Sequence, residues 1–473
     1  MDDLEPLRGE MREVTAEIMK QIKKRMEIAK RIGEVKSRKS LDVVDDKAEE
    51  DLRSFIMKIC EQIGLEPDLA ARLLNILMIE SARVQEAGKG THMAVFAKAK
   101  ELESQGKKII HLEVGEPDFA PPPSIKDALA DAMDSGHYHY TETAGVPRLR
   151  EALAGSLKRK FNASVAGDQI IVTPGGRFAV FLAFSTLLKP GDEILVIEPA
   201  WPAYRDCAGL VNAKVRTLRT TLEDGWVPDL NELERMITDN SRMLVINYPN
   251  NPTGKVLGAN SLDKIVAIAK DHKLLLLSDE VYSDYSFRKF TSVLSSNYDD
   301  GIIVSSFSKG PAMTGFRVGY AAARKEIIQR MAKLQATALT SVAEPMQYAA
   351  ISALQKNSIR ENAEVMKKRL FLIANRLKKM PVSFAEPEGA MYVFARVDLD
   401  SFRADQFVES TLEKGLALAP GGGFGNYPEF VRISAGQPEN LIEEGLDILE
   451  RSLGSEGREE VAAEEEAQQR EGR

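Results

Sequence analysis

Three short runs late in the chain carry side chains whose types and order could do chemistry together. Tyr248-Pro249-Asn250-Asn251-Pro252-Thr253-Gly254 follows an apolar run, and Leu274–Leu277 leads into Ser278-Asp279-Glu280-Val281-Tyr282. Ser305-Ser306-Phe307-Ser308-Lys309-Gly310 then runs on to Gly315-Phe316-Arg317-Val318-Gly319-Tyr320. An acid at a strand end, a lysine among small hydroxyl residues and a following arginine are the parts of a pyridoxal phosphate site. The acid pairs the pyridinium nitrogen, the lysine forms the Schiff base, and hydroxyls with the arginine hold the phosphate. Upstream, Val172-Thr173-Pro174-Gly175-Gly176-Arg177 opens the apolar helical run Phe178–Leu188, where free N–H groups suit a phosphate. Singly, each piece has a plain structural reading: Asp279 as a helix cap, Lys309 at the surface, Gly175-Gly176 as a turn. Their order in one chain is what points to a site.

The N-terminal part offers a different chemistry. Its first helix reads as heptads, with one seam at Leu4, Met11, Ile18, Arg25, Ile32 and another at Leu7, Val14, Gln21, Ile28, Val35. Such a helix would be ~55 Å long, more than two shorter helices of the same chain can cover, so a dimer is expected. An unpaired charge in an apolar seam is costly, and Arg25 therefore wants an anion from a partner chain or a ligand. Eleven residues separate Arg25 from Lys36, which places both on one face within ~20°, while Arg8 falls about 100° away. Asp45 and Glu49, like Ser81 and Gln85, are spaced i, i+4 and stand side by side. From spacing alone, two readings stay open: a dimerisation module with a polar register-setting layer, or an anion-binding site.

The elements that must position these residues fall into two textures. Residues 1–86 read as all-helical, with breaks near Ser40–Val44 and Gly64–Pro67. After a short linker over 87–91, apolar runs such as Ile170-Ile171-Val172, Glu193–Ile197, Met243–Ile246 and Ile302-Ile303-Val304 alternate with amphipathic stretches. Continuous apolar strands separated by helices indicate a mostly parallel α/β sheet buried on both faces. The ligand edge of such a sheet is at the carboxyl ends of its strands. Residues 92–455 form this unit, and 456–473, with seven Glu against three Arg, read as a charged disordered tail.

Composition narrows the function. A chain of 473 residues, 44 % hydrophobic and 28 % charged, excludes collagen-like, largely disordered and disulfide-scaffold readings. Two lone cysteines and five scattered histidines argue against a zinc module, and no metal is expected; His137-Tyr138-His139 lacks a third ligand cluster. No apolar stretch approaches the ~20 residues of a membrane span, and no secretory signal opens the chain, so a cytoplasmic setting is expected. Residues 7–39 carry eleven Lys or Arg against five Glu. A nucleic-acid partner would need these bases on an exposed face, not in a seam. Gly421-Gly422-Gly423-Phe424-Gly425 reads as loop geometry, and no Walker pattern occurs.

Two family resemblances follow from the quoted residues. Leu4-Glu5-Pro6-Leu7-Arg8, Arg25, Ile32-Gly33-Glu34-Val35-Lys36, Asp45, Glu49, Ser81 and Gln85 resemble the all-helical chorismate mutases over residues 4–86. The resemblance implies three helices in an intertwined homodimer, converting chorismate to prephenate. Arg25 and the other subunit's Arg8 would grip the two carboxylates, Lys36 and Gln85 the ether oxygen, with Asp45 and Glu49 near the ring hydroxyl and Ser81 completing the pocket. Lys47-Ala48-Glu49 departs from the family, which commonly has Arg before the glutamate. Residues 92–453, through the runs above and through Gly115-Glu116-Pro117-Asp118-Phe119, Gly389-Ala390-Met391-Tyr392 and Val431-Arg432-Ile433-Ser434, resemble the class-I aminotransferases near aspartate aminotransferase. That implies pyridoxal-phosphate fold type I with a smaller α+β domain. It makes Lys309 the Schiff-base lysine and proton shuttle and Asp279 the partner of the ring nitrogen. Tyr282 and Asn251 would hold the ring hydroxyl, and Trp201 would stack on the ring. Gly176, Arg177, Ser306, Arg317 and the other subunit's Tyr140 would bind phosphate; Arg432, Asn251 and Gly115 would bind the substrate carboxylate. The expected enzyme is bifunctional, taking chorismate, an amino acid and a 2-oxo acid. The alternative keeps the aminotransferase and makes residues 1–86 a dimerisation or effector-binding module.

Overall fold

The computed structural model describes residues 4–38, 46–86, 92–354 and 358–454. Asp45, the linker 87–91 and the tail fall outside them. The chain divides into two compact units, Met1–Gly90 and Thr91–Arg473.

The first unit is three helices, Leu4–Arg38, Asp46–Ile63 and Pro67–Glu86. Thirty-five residues make the first helix about 52 Å long. It packs on the third helix along Ile22, Arg25, Met26, Ala29 and Gly33, spaced three and four apart. Gly33 permits the contact: a Cβ there would lie 2.7 Å from the Gln85 Cα. The second seam points away from that stripe, whereas Leu4, Met11 and Ile18 of the first share its side of the helix but lie N-terminal to its buried part. Leu4, Leu7, Met11, Val14, Ile18, Ile28, Ile32 and Val35 are all exposed within the single chain, Met11 by 72 %.

The second unit centres on a seven-stranded sheet. Its spatial order is Ile170–Thr173, Gly319–Ala322, Gly301–Ser306, Leu275–Asp279, Ser241–Asn247, Glu193–Glu198, Lys214–Arg219. Only Gly319–Ala322 runs against the rest, pairing antiparallel with both neighbours. Alternate residues of one strand enter different cores. Leu195, Ile197, Leu244 and Ile246 pack on one face, while Ile194, Val196, Met243 and Val245 pack on the other. Helices cover both faces, which is why the strand sequences are apolar without a break.

A four-stranded antiparallel sheet forms the smaller domain, in the order Ala419–Pro420, Phe430–Ser434, Tyr392–Val397, Val382–Phe384. The early segment is stitched to it: Ile110–His111 pairs in parallel with Leu416–Ala417, and Ser434 N donates to Leu112 O at 2.8 Å. Glu113 to Glu116 is thereby carried from the start of the unit to its late strands.

Candidate functional site

Five strand ends of the large sheet converge on one edge. Leu275–Asp279 ends on Asp279, which is buried and accepts from Tyr204 Oη at 2.7 Å and from Val281 N at 3.2 Å. Burial pushes its carboxyl up to about 6 against those two donors, so it remains largely ionised at neutral pH. A protonated ring nitrogen beside it would favour the charged form further. Gly301–Ser306 ends just before Lys309, whose Nζ donates to the Gly115 carbonyl. Tyr285 Oη fixes the Lys309 backbone carbonyl at 2.6 Å. Burial pulls the Lys309 amine down to about 8, so an unprotonated, nucleophilic fraction exists near neutrality.

Anion donors gather beside the lysine. Ile170–Thr173 leads through Gly175, at φ 89°, into the helix Gly176–Leu187, whose first N–H groups have no side-chain cap. A Cβ at Gly175 would lie 2.5 Å from Arg317 Nη2, so only glycine lets that guanidinium reach the helix start. Arg317 itself is left-handed at φ 54° and donates to Thr314 O at 2.8 Å. Ser306 Oγ lies 2.9 Å from Ser308 Oγ. The Arg177 guanidinium sits 4.7 Å over the Trp201 ring, and Tyr140 is 87 % exposed.

Arg432 marks the other end. It is buried, donates to Asn251 Oδ1 at 2.8 Å and to the Glu113 carbonyl, and keeps a buried Nε with no protein partner. Its guanidinium is sandwiched between the Tyr392 ring at 4.3 Å and the Phe424 ring at 4.7 Å. Tyr282 Oη lies 2.7 Å from Tyr392 Oη, and its ring is 5.9 Å from Lys309 Nζ. Anion donors, an acid suited to a ring nitrogen and an amine suited to a carbonyl thus share one edge of the large sheet, and the buried Arg432 of the smaller sheet meets them through Asn251. A phosphorylated pyridine carrying an aldehyde matches the first three, which makes the donor set a fit for pyridoxal phosphate.

The helical unit places its candidates less completely. Arg25 and Lys36 are half-buried on the first helix, and Arg25 Nε is buried without a hydrogen-bond partner. Gln85, on the third helix, likewise keeps a buried Oε1 without one. A cleft of about 460 Å³ beside Arg25 is lined by Val14, Glu17, Ile18, Gln21, Ile22 and Leu77. Arg8 is exposed, 3.4 Å from Glu5. Ser81 is buried, but its hydroxyl donates to Leu77 O at 2.6 Å within its own helix. Glu49 lies on the second helix with its side chain outside the described set, as is all of Asp45. His137 and His139 are tied to Glu344, His137 Nδ1 at 3.2 Å and the His139 N–H at 2.9 Å.

Sequence reasoning missed three contributors. Tyr204 reaches Asp279 from the short helix Ala203–Leu210, 75 residues away in sequence, and no local spacing signals that contact. Tyr392 stood in a quoted run without a role. Glu113 is fully buried, and its Oε1 meets His111 Nδ1 at 2.7 Å; an acid and a histidine at i, i+2 on an extended run share a face.

Comparison with known proteins agrees with both units. Residues 107–449 match the family model "Aminotransferase class I and II", and residues 7–86 match "Chorismate mutase type II". An aspartate aminotransferase of Pyrococcus horikoshii is 35 % identical over 391 residues, 81 % of this chain and 97 % of the relative. An aspartate/prephenate aminotransferase of Thermus thermophilus is 34 % identical over 383 residues, 79 % of this chain and 98 % of the relative. The solved structure of the Thermus thermophilus aspartate aminotransferase with maleate superposes with a TM-score of 0.74 at 34 % identity, covering 77 % of this chain and 97 % of that one. An aromatic aminotransferase from Pyrococcus horikoshii gives 0.71 at 34 %, covering 76 % and 99 %. The chain belongs to the class I and II aminotransferases and carries, ahead of that transferase, a chorismate mutase type II domain, an isomerase.

Proposed function

We propose that the chain makes prephenate from chorismate in its helical unit and transfers an amino group from aspartate or glutamate to a 2-oxo acid in its α/β unit. Prephenate is the acceptor we favour, ahead of aromatic 2-oxo acids, oxaloacetate or 2-oxoglutarate. The observation that carries the transferase half is the grouping of the Lys309 amine, lowered to about 8 by burial, with the buried Asp279 carboxyl and the buried Arg432 guanidinium. Bound there, pyridoxal 5'-phosphate supplies the electron sink that lets the α-hydrogen of an amino acid leave as a proton. Lys309 Nζ holds the carbonyl end and then moves that proton. Asp279 holds the ring nitrogen in its charged form, kept in place by Tyr204. Tyr282 and Asn251 face the ring hydroxyl, and Trp201 covers the ring. The Gly176 and Arg177 N–H groups, Ser306, Arg317 and Tyr140 of a second subunit hold the phosphate. Arg432 binds the substrate α-carboxylate with Asn251 and the Gly115 backbone, a bidentate pair in a dry setting.

The fused mutase domain and the aspartate/prephenate name of the Thermus thermophilus relative both support prephenate, which carries a second carboxylate. Arg177 is the residue we assign to it. Its guanidinium lies over the Trp201 ring at the site's rim.

In the helical unit the rearrangement needs no nucleophile, only a compact dianion and donors where charge develops on the ether oxygen. Arg25 binds one carboxylate and the second subunit's Arg8 the other. Lys36 and Gln85 serve the ether oxygen, Asp45 and Glu49 the ring hydroxyl, and Ser81 borders the pocket. The orphaned Arg25 Nε and Gln85 Oε1 support a polar ligand, and the exposed apolar seams support a homodimer. On this reading the functional segments are 1–86, a linker 87–91, the transferase 92–455 and the tail 456–473.

A substrate panel on the full chain tests the proposal. Chorismate should disappear without added cofactor, and amino transfer should be fastest to prephenate. Dimeric protein that binds no chorismate leaves residues 1–86 as an assembly or effector-binding module. Transfer only between aspartate and 2-oxoglutarate removes prephenate.

A further inference from the structure

One buried phenol joins three parts of the transferase site that were described separately. Tyr392 begins the strand Tyr392–Val397 and is 1 % exposed. Its hydroxyl is 2.7 Å from Tyr282 Oη, and the two rings meet edge to face at 81°. The face of its ring lies 4.3 Å beneath the Arg432 guanidinium. A Cβ built on Gly115 would fall 1.8 Å from the Tyr392 hydroxyl, so the phenol also presses on the segment whose carbonyl receives Lys309 Nζ.

We propose that Tyr392 is a positioning residue with two separable parts: its hydroxyl aims the Tyr282 hydroxyl at the cofactor's ring oxygen, and its ring seats Arg432 for the substrate carboxylate. The inference rests on the cofactor reading above. A hydroxyl has one proton, so when Tyr282 donates toward the ring oxygen its 2.7 Å contact with Tyr392 must run the other way, Tyr392 donating and Tyr282 accepting. Tyr392 is the acceptor's partner within reach, and a donor behind a donor strengthens the outer bond. The ring does different work. A guanidinium over an aromatic face is held in plane, and Arg432 must stay planar to its ligand for a bidentate pair.

Two substitutions separate the parts. Tyr392→Phe keeps the face and removes the hydroxyl; Tyr392→Leu removes both. The visible absorption of the cofactor-loaded protein, titrated with pH in the absence of substrate, reads the hydroxyl. Donation to the ring oxygen draws charge from the atom that shares the lysine-side proton, so weakening that donation raises the proton's affinity. In Tyr392→Phe the spectral midpoint should rise by roughly 0.3–1 pH unit, the reach of one remote neutral hydrogen bond, with the substrate KM little changed. Tyr392→Leu should add a rise in KM of about tenfold for α-carboxylate substrates. In a Tyr282→Phe background, Tyr392→Phe should leave the midpoint where Tyr282→Phe alone puts it, because the effect passes through Tyr282. An unchanged midpoint in Tyr392→Phe, or an equal shift in both backgrounds, overturns the proposal while leaving the cofactor reading intact. Wild-type protein that binds pyridoxal 5'-phosphate without a lysine-dependent visible band overturns both.

Discussion

The two units treat their apolar residues in opposite ways. The α/β unit buries the strands of its large sheet on both faces and assembles lysine and acid from that sheet's strand ends with an arginine from its smaller sheet, all in one chain. The helical unit leaves nine large apolar side chains of its first helix in solvent, with a half-buried arginine beside them. Exposed apolar surface on that scale marks an interaction face. The difference teaches where each proposed site obtains its precision. One is fixed by a rigid sheet; the other depends on what covers the first helix.

The comparison can be broken or sharpened by variants of the full chain. Asp279→Ala should cost amino transfer on the order of 10³-fold, as loss of one buried preorganised charge does, and leave chorismate conversion unchanged. A parallel loss in both rates would make the units one cooperative machine. Arg177→Leu should lose roughly 10–100-fold with dicarboxylic acceptors and far less with phenylpyruvate, the range of a charged hydrogen-bonded pair. Equal losses would leave Arg177 with the phosphate alone. Below about pH 8, cofactor-free protein should capture pyridoxal 5'-phosphate about tenfold faster for each unit of rising pH, levelling above it. The sign follows from the lysine: burial lowers its amine, and only the unprotonated form attacks. A flat borohydride-trapping profile from pH 6 to 9 contradicts this. Gly33→Ala should destabilise the helical unit by about 1–3 kcal/mol, because its Cβ meets the third helix's backbone. A thermal scan should show the first transition falling while amino transfer holds.

Much of the α/β unit is legible in the chain because fully buried parallel strands leave unbroken apolar runs, and polar residues directly after them mark the ligand edge. Lys309 and Asp279 are singled out that way, whereas Arg432, inside an antiparallel strand of the smaller sheet, is singled out only by the family resemblance. The strand Gly319–Ala322 was not, since Gly319-Tyr320-Ala321-Ala322 lacks such a run and pairs antiparallel. Tyr204 and Tyr392 were missed as contributors for a different reason. Their partners lie 75 and 110 residues away, beyond any periodic signal. In the helical unit the heptads correctly pick residues that stay off the chain's own core, yet they place Arg25 among them. The third helix has 20 residues against 35 in the first, and the half-buried stretch of the first helix begins at Ile22, so Arg25 falls within the covered part while Leu4, Met11 and Ile18 lie before it.

The central claim is that one chain holds two chemically independent sites, and a crossed pair of variants tests it most directly. Both rates, chorismate conversion and amino transfer, are measured on Lys309→Ala and on Arg25→Ala as full chains. Lys309→Ala should lose amino transfer by on the order of 10⁴-fold and keep chorismate conversion. Arg25→Ala should lose chorismate conversion by on the order of 10²–10³-fold and keep amino transfer. Amino transfer surviving in Lys309→Ala, or chorismate conversion surviving in Arg25→Ala, would contradict the account.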